Sequence, residues 1–479
     1  MDTPFTLNSF GAAGEVTGSK HLIKTPKGSQ ILLDCGMFQG KRELAYEKNS
    51  SFGFNPSEVD AVLISHAHID HSGLLPKLQK EGFQGKIYAT HGTTELTNLM
   101  LLDSARIQQE DEQYMVQRMK DEGVLPRPAL YNLADVENTM KLFIGKEYGD
   151  SFPVTDDVSA VFLDAGHVFG SSIIILTIDT GTGMEKLVFT GDLGRANMPI
   201  IQDPEYVSEA DYLIIESTYG GRKHERVEEV EQDLADIINK TAKRGGKIFI
   251  PAFALERTQE LILRLENLIH HGKIPNLKIY VDSPLADRIT KVFEDHPEYY
   301  DDELQVRNGE KRRIFSFPNL TFTQSVQESK ELNYLNVPSI IISGSGMAES
   351  GRIRHHLKNN IEDPKNSVLI VGYQAEETLG RKLVEGNTFV PIFGREYAVR
   401  SEIFVFKSLS AHADQDGLDK YVESMKGLKK IFVVHGEDVS RQAFKARIEL
   451  FYPSSEVILP VPGQAYFLEA SQKKSAQHA

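Results

Sequence analysis

The sequence predicts an α/β protein. Short apolar runs end in polar residues or glycine, amphipathic stretches of helical period lie between many of them, and no uninterrupted apolar segment approaches the ~18 residues of a membrane span. The first strand series reads at residues 31–34 (ILLD), 61–65 (AVLIS), 187–190 (LVFT) and 213–216 (LIIE). A second series follows at 248–251 (IFIP), 279–282 (IYVD), 340–343 (IIIS) and 368–371 (VLIV), with a helical pattern such as 258–268 between its members. That alternation is βαβ grammar, and in such proteins chemistry collects where strands end. Met100 and Met115, set among helical apolar residues, read as core, and the polar stretch 471–479 as a frayed end.

At 479 residues the chain exceeds one ordinary core, so two or three lobes are expected. Hydrophobic residues make up 40% and charged residues 25%, in the range of globular proteins. The amino terminus lacks a basic start followed by an apolar block, which predicts a cytoplasmic protein, with no membrane as partner. The single cysteine, Cys35, excludes an internal disulfide framework and a thiolate metal cage, so any metal must be held by histidines and carboxylates. The net charge of -15 argues against coating nucleic acid by bulk electrostatics, although a local cationic cleft, or a pair of bound divalent ions, would reverse the field where it matters.

The sharpest signal is His66-Ala67-His68-Ile69-Asp70-His71, placed directly after a strand. In extended backbone, residues two apart face the same way, so His66 and His68 can reach one ion while the following turn presents Asp70 and His71 to a second. Further candidates stand at strand ends beside glycines: His167 after Gly166, Asp192 after Gly191, and His435 before Gly436. Glu437 next to it reads as structural. Near the middle of the chain Glu216-Ser217-Thr218-Tyr219-Gly220 closes a strand, and further on Ser410-Ala411-His412-Ala413-Asp414 follows another.

This combination, in this order, resembles the metallo-β-lactamase superfamily, and the motifs around Glu216, His412 and His435 resemble the three additional motifs of its β-CASP group. The segments FGAAGEVTGS, LLDCGMFQG, SGSGM and HHL are similar to bacterial and archaeal homologues of the cleavage and polyadenylation specificity factor endonuclease subunit. The resemblance implies a metallo-β-lactamase αββα sandwich with an inserted α/β β-CASP domain: residues 1–221 and 399–465 for the sandwich, 222–398 for the insert and 466–479 as a polar tail. It implies two Zn2+ ions as cofactors. His66, His68 and His167 would bind one, Asp70, His71 and His435 the other, with Asp192 bridging. It also implies Asp70, His412 and Glu216 as catalytic residues. A histidine can protonate the leaving alkoxide of a phosphodiester, and Glu216 would orient and charge-stabilise His412.

The implied activity is hydrolysis of single-stranded RNA, endonucleolytic with some exonuclease action, since the histidine at position 435 is typical of the RNA-directed branch. Within the insert, Ser343, Gly344, Ser345, Gly346 and Arg352 form one candidate substrate loop, and Tyr373 and Arg381 belong to a second. Ser350 and Glu377 stand where glycine is expected. His224, with Arg222 and Lys223, is placed to steer an RNA backbone. His91, His270, His271, His355 and His356 lack ligand spacing and read as surface or packing residues. The competing readings are a DNA nuclease, another hydrolase on the same scaffold such as a thioesterase, and a non-catalytic scaffold subunit; a complete ligand set speaks against the last. A homodimer is left open.

Overall fold

The computed structural model describes residues 4–122, 127–224, 227–309, 314–372, 374–375, 377–406 and 410–469. The chain forms two compact units, Met1–Lys223 with His412–Ala479, and His224–Ala411.

The first unit is a sandwich of two seven-stranded sheets. One runs, edge to edge, Ala465–Phe467, Thr6–Gly11, Lys20–Lys24, Gln30–Leu33, Ala61–Leu63, Lys86–Thr90 and Phe143–Lys146. The other runs Glu456–Ile458, Lys430–Val433, Tyr212–Ile215, Met184–Phe189, Ser172–Asp179, Val158–Asp164 and Ser151–Pro153. Alternation in Val158–Asp164 turns every second side chain inward, as period-two geometry requires of a strand with one covered face. Between the sheets, Leu7, Ile31 and Leu63 meet Phe162, Leu176 and Phe432 in one buried cluster. The outer face of the first sheet packs on Leu75, Leu78, Leu101 and Val136 from helices. The outer face of the second packs on Leu418 and Tyr421 from Gln415–Glu423 and on Phe444 and Ile448 from Asp438–Phe451. The layer order is therefore αββα.

The second unit holds a six-stranded sheet in the order Leu320–Phe322, Lys278–Val281, Ser339–Ser343, Ile248–Pro251, Ser367–Ile370 and Glu402–Val405. All its pairings are parallel. The predicted helix between its first two chain segments is Arg257–His270. Parallel strands need crossovers, which is why helices alternate with them here.

Two expected boundaries shift. Glu402–Val405 pairs with Ser367–Ile370, so the insert continues past 398, to residue 411. Residues 466 and 467, expected to begin a tail, lie in an edge strand paired with Thr6–Leu7; residues 470–479 are outside the described residues. Met100 is half-buried rather than core, and the side chain of Met115 lies outside the described residues. Among the described residues no helix is long and apolar enough to cross a membrane.

Candidate metal centre

Every element that carries a candidate ligand belongs to the sandwich unit. The strand Ala61–Leu63 ends, and the chain turns through His66 and His68 into the short helix Ile69–Ser72, which carries Asp70 and His71. The turn is possible because Gly36 passes against it: a Cβ there would lie 1.6 Å from the Asp70 carbonyl oxygen. His167 follows Val158–Asp164, and Asp192 follows Met184–Phe189 through Gly191. Gly191 has φ +53°, and a Cβ on it would come within 2.5 Å of the Ser65 side chain, two reasons for glycine beside this candidate ligand. His435 follows Lys430–Val433 with φ +47° and donates its N–H to the Ala12 carbonyl at 2.7 Å.

The structure brings these residues together in two groups, each with ligand atoms within 4.8 Å of one another: His66, His68, His167 and Asp192 in one, and Asp70, His71 and His435 in the other. Asp192 lies between them. Its Oδ2 is 3.7 Å from His66 Nε2, 3.6 Å from His167 Nε2 and 3.3 Å from His71 Nε2, and its Oδ1 is 3.2 Å from His435 Nδ1. His71 Nε2 and His435 Nε2 are 3.2 Å apart, and His66 Nε2 and His68 Nδ1 are 3.0 Å apart.

Burial holds His66 and His167 well below the ordinary imidazole range, and neighbouring histidines add to the effect. Burial likewise lowers His68, to about 4. Neutral imidazole is the form that binds a metal. Burial works against the charge of Asp192, yet the surrounding histidines, His435 and His71 foremost, hold its carboxyl well below the usual range. Both ring nitrogens of His167 and the Oδ1 of Asp192 are buried without hydrogen-bond partners, although such groups are normally satisfied. A set of nitrogen and oxygen donors with orphaned atoms facing one another fits one or two divalent cations.

Asp34 was not among the sequence candidates, and it completes the support of this cluster. Fully buried, it accepts from His71 Nδ1 at 2.6 Å, Ser65 N at 2.8 Å, Ser19 Oγ at 3.0 Å and Ser65 Oγ at 3.1 Å. This fixes the tautomer that presents His71 Nε2 to the cluster, as a carboxylate behind a ligating histidine does. Its place at the end of the LLD strand was the available signal. Thr218 Oγ1 contacts His435 Nδ1 in a comparable way at 3.1 Å.

His412 stands beside the two groups. Its Nδ1 is 2.9 Å from Glu216 Oε1 and 3.9 Å from Asp192 Oδ2. Glu216 is fully buried and immobilised, with Oε1 accepting from Leu193 N at 2.8 Å and Oε2 from Thr218 N at 3.1 Å. Burial pulls His412 down, but the carboxylates of Glu216 and Asp192 outweigh it and push the imidazole up to about 9.

The substrate candidates of the insert divide. Ser343 is buried, and its hydroxyl donates to the Asp282 carbonyl at 2.9 Å, so it faces the core rather than a ligand. Arg352 is likewise engaged within the protein: one Nη binds Asp282 Oδ1 at 2.7 Å and the other the Gln324 carbonyl at 2.9 Å. Ser345 N–H donates to the Ser350 carbonyl within the loop. Gly344 and Gly346 flank it, and the Gly344–Ser345 peptide is cis. Arg381 pairs with Glu385 one helical turn on, at 2.7 Å. Tyr373 lies outside the described residues. His224 is the first residue of the second unit, and the neighbouring Lys223 pairs with Asp416 on the surface of the first. His356 is buried, with Nδ1 3.0 Å from Asn333 Oδ1 and Nε2 2.7 Å from Asp282 Oδ2.

Comparison with known proteins gives three family matches: "Metallo-beta-lactamase superfamily" over residues 14–214, "Beta-Casp domain" over 258–383, and "Zn-dependent metallo-hydrolase RNA specificity domain" over 396–460. The chain is 36% identical over 429 residues to a protein named Ribonuclease TTHA0252 from Thermus thermophilus, covering 90% of this chain and 92% of that one. It is 32% identical to Transcription termination factor FttA from Methanocaldococcus jannaschii, covering 90% of this chain and 67% of that one. An RNase J-like protein from the same archaeon is 31% identical, covering 95% and 99%. A crystal structure of a protein of unknown function from Enterococcus faecalis superposes with a TM-score of 0.55 at 12% identity, over 97% of this chain and all of that one, a likeness of fold alone.

Proposed function

The chain belongs to the β-CASP group of the metallo-β-lactamase superfamily and is a metal-dependent hydrolase; from that premise we propose that it is a ribonuclease that cuts single-stranded RNA with two zinc ions. The observation that carries the reading is the convergence of seven His and Asp side chains beside the Glu216–His412 pair. The nucleic acid is read from the matched RNA specificity domain and from a relative named as a ribonuclease.

In this reading His66, His68 and His167 would hold one ion and Asp70, His71 and His435 the other, with Asp192 available to both. Bound there, the ions supply Lewis-acid stabilisation of the charge that builds on the scissile phosphate. Asp192 keeps the two groups of ligands in register, and Asp34 keeps His71 turned toward them. His412 acts as general acid toward the leaving oxygen. The Glu216 carboxylate that binds its Nδ1 favours the protonated form. With Nδ1 engaged by Glu216, Nε2 is the nitrogen that delivers the proton.

Internal cutting is the favoured mode, on the resemblance to the cleavage and polyadenylation endonuclease subunit. Purified protein incubated with end-labelled RNA, DNA and a thioester, with and without chelator, tests the substrate class: chelator-sensitive loss of RNA alone is expected, and preference for DNA or thioester would overturn it. A circular single-stranded RNA has no ends. Its linearisation supports internal cutting, and an intact circle beside degraded linear RNA refutes it.

A further inference from the structure

Phe253 is the first residue after its strand's neighbour Ala252, just beyond Ile248–Pro251, and its side chain is 42% exposed. A lone exposed aromatic is ordinary on a protein surface. This one is held in a particular place. Ile248–Pro251 lies between Ser339–Ser343 and Ser367–Ile370, with parallel pairing to both, so Phe253, the loop from Gly344 to Gly346 and Gly372 all emerge at the carboxyl ends of three adjacent strands. In open α/β sheets that end is where ligands bind.

The backbone that carries the ring is held in place. Thr258 Oγ1 donates to the Phe253 carbonyl at 2.7 Å, and Gln259 Nε2 to the Ala254 carbonyl at 3.1 Å, so helix Arg257–His270 fixes the loop that carries the ring. A Cβ on Gly346 would come within 2.8 Å of ring atoms Cδ2 and Cε2, and one on Gly372 within 3.8 Å of Cε2. The ring thus rests against the bare backbone of Gly346, with Gly372 beside it. Gln374, itself buried, donates to the carbonyls of both Gly346 at 3.0 Å and Gly372 at 3.1 Å, tying the two glycine loops together beside it.

A single planar ring in polar, backbone-rich surroundings suits one planar partner better than the broad apolar face of a protein. We propose that Phe253, packed against Gly346 beside a Gly372 that Gln374 ties to it, is a stacking platform for one base of a single-stranded nucleic acid. Because every base has a π-face, the platform accepts any base and contributes affinity rather than sequence preference. The proposal rests on the RNA reading above and names a contact for it.

The test uses the full chain in a His412→Ala background, so that RNA stays intact, with a short single-stranded RNA carrying 2-aminopurine, whose fluorescence falls when it stacks. Phe253→Ala is expected to weaken binding about 5- to 150-fold and to abolish the quenching at saturation. Phe253→Trp should keep both. Phe253→Leu retains bulk against Gly346 but has no π-face; it should keep the parental melting temperature while losing the quenching, which separates stacking from folding. Parental affinity and quenching in both Phe253→Ala and Phe253→Leu would overturn the platform while leaving the ribonuclease reading intact. A parent that fails to bind RNA, and with His412 restored fails to cut it, would overturn that reading and the platform with it.

Discussion

Two buried polar clusters, one in each unit, differ in a way that separates chemistry from architecture. In the second unit, Asp282 is completely buried and completely satisfied. Its carboxylate accepts from Thr323 Oγ1, from Ser329 Oγ at 2.5 Å, from Arg352 at 2.7 Å and from His356 Nε2 at 2.7 Å. Burial works to raise it, and the bonds from His356, Ser329, Thr323 and Arg352 bring it down to about 2. In the sandwich, equally buried groups are left incomplete: His167 has no hydrogen-bond partner on either nitrogen, and four other histidines crowd around Asp192. Leaving a buried polar group unmade costs ~1–3 kcal/mol, so a fold that tolerates several in one place is holding it for something else. A cluster closed on itself ties strands and helices together, and an open one binds.

The largest effect that probes this contrast is expected at its open end. Asp192→Ala removes the carboxylate shared by both ligand groups and should abolish metal retention and hydrolysis together, a loss of ~10³-fold or more. Elemental analysis beside an RNA assay checks it, and a variant that keeps its metal would break the bridging assignment. His412→Ala is expected to keep the metal and to lose ~10²–10⁴ in turnover, since only the proton donor is gone. Its charge partner offers a finer test. The raised His412 pKa means that the acid form persists to alkaline pH and is lost as pH rises through it; Glu216→Gln removes the carboxylate that raises it, so the alkaline limb of the kcat profile should move to lower pH. A limb that stays in place would argue against His412 as the acid.

At the closed cluster the effect should fall on stability alone. Asp282→Ala strands Arg352 and His356 without their acceptor and is expected to cost ~3–5 kcal/mol, seen as a lowered melting temperature, while metal content is unchanged. The smallest expected effect is at the support of the open cluster: Asp34→Asn should weaken metal affinity ~10–100-fold by loosening His71, measured by competition with a chromophoric chelator.

The same contrast explains what could be read from the sequence. The string from His66 to His71 was legible because its four candidate ligands are neighbours in the chain and one turn suffices to aim them. His167, Asp192 and His435 were legible as polar residues at strand ends beside glycine. Asp34 was not, because its role exists only across a loop contact to a residue 37 positions away. The internal partners of Arg352 and Ser343 were hidden for the same reason. A cation and a hydroxyl beside glycines suggest an anion site until Asp282, 70 and 61 positions away, is seen to claim the cation with its carboxylate and the hydroxyl with its carbonyl. The four layers of the sandwich came through the family resemblance. The end of the insert did not, since Glu402–Val405 is a short strand whose sheet is fixed by pairing rather than by its own pattern.

The most direct test of the central claim, that the incomplete cluster is a metal centre serving RNA hydrolysis, is metal content and RNA cleavage measured together on one preparation. Wild type is expected to carry two zinc ions per chain and to cut single-stranded RNA, to lose both with chelator and regain both on adding zinc. His412→Ala should match it in metal and lack the cleavage. A wild type that cuts RNA equally well after its metal has been stripped would contradict the account.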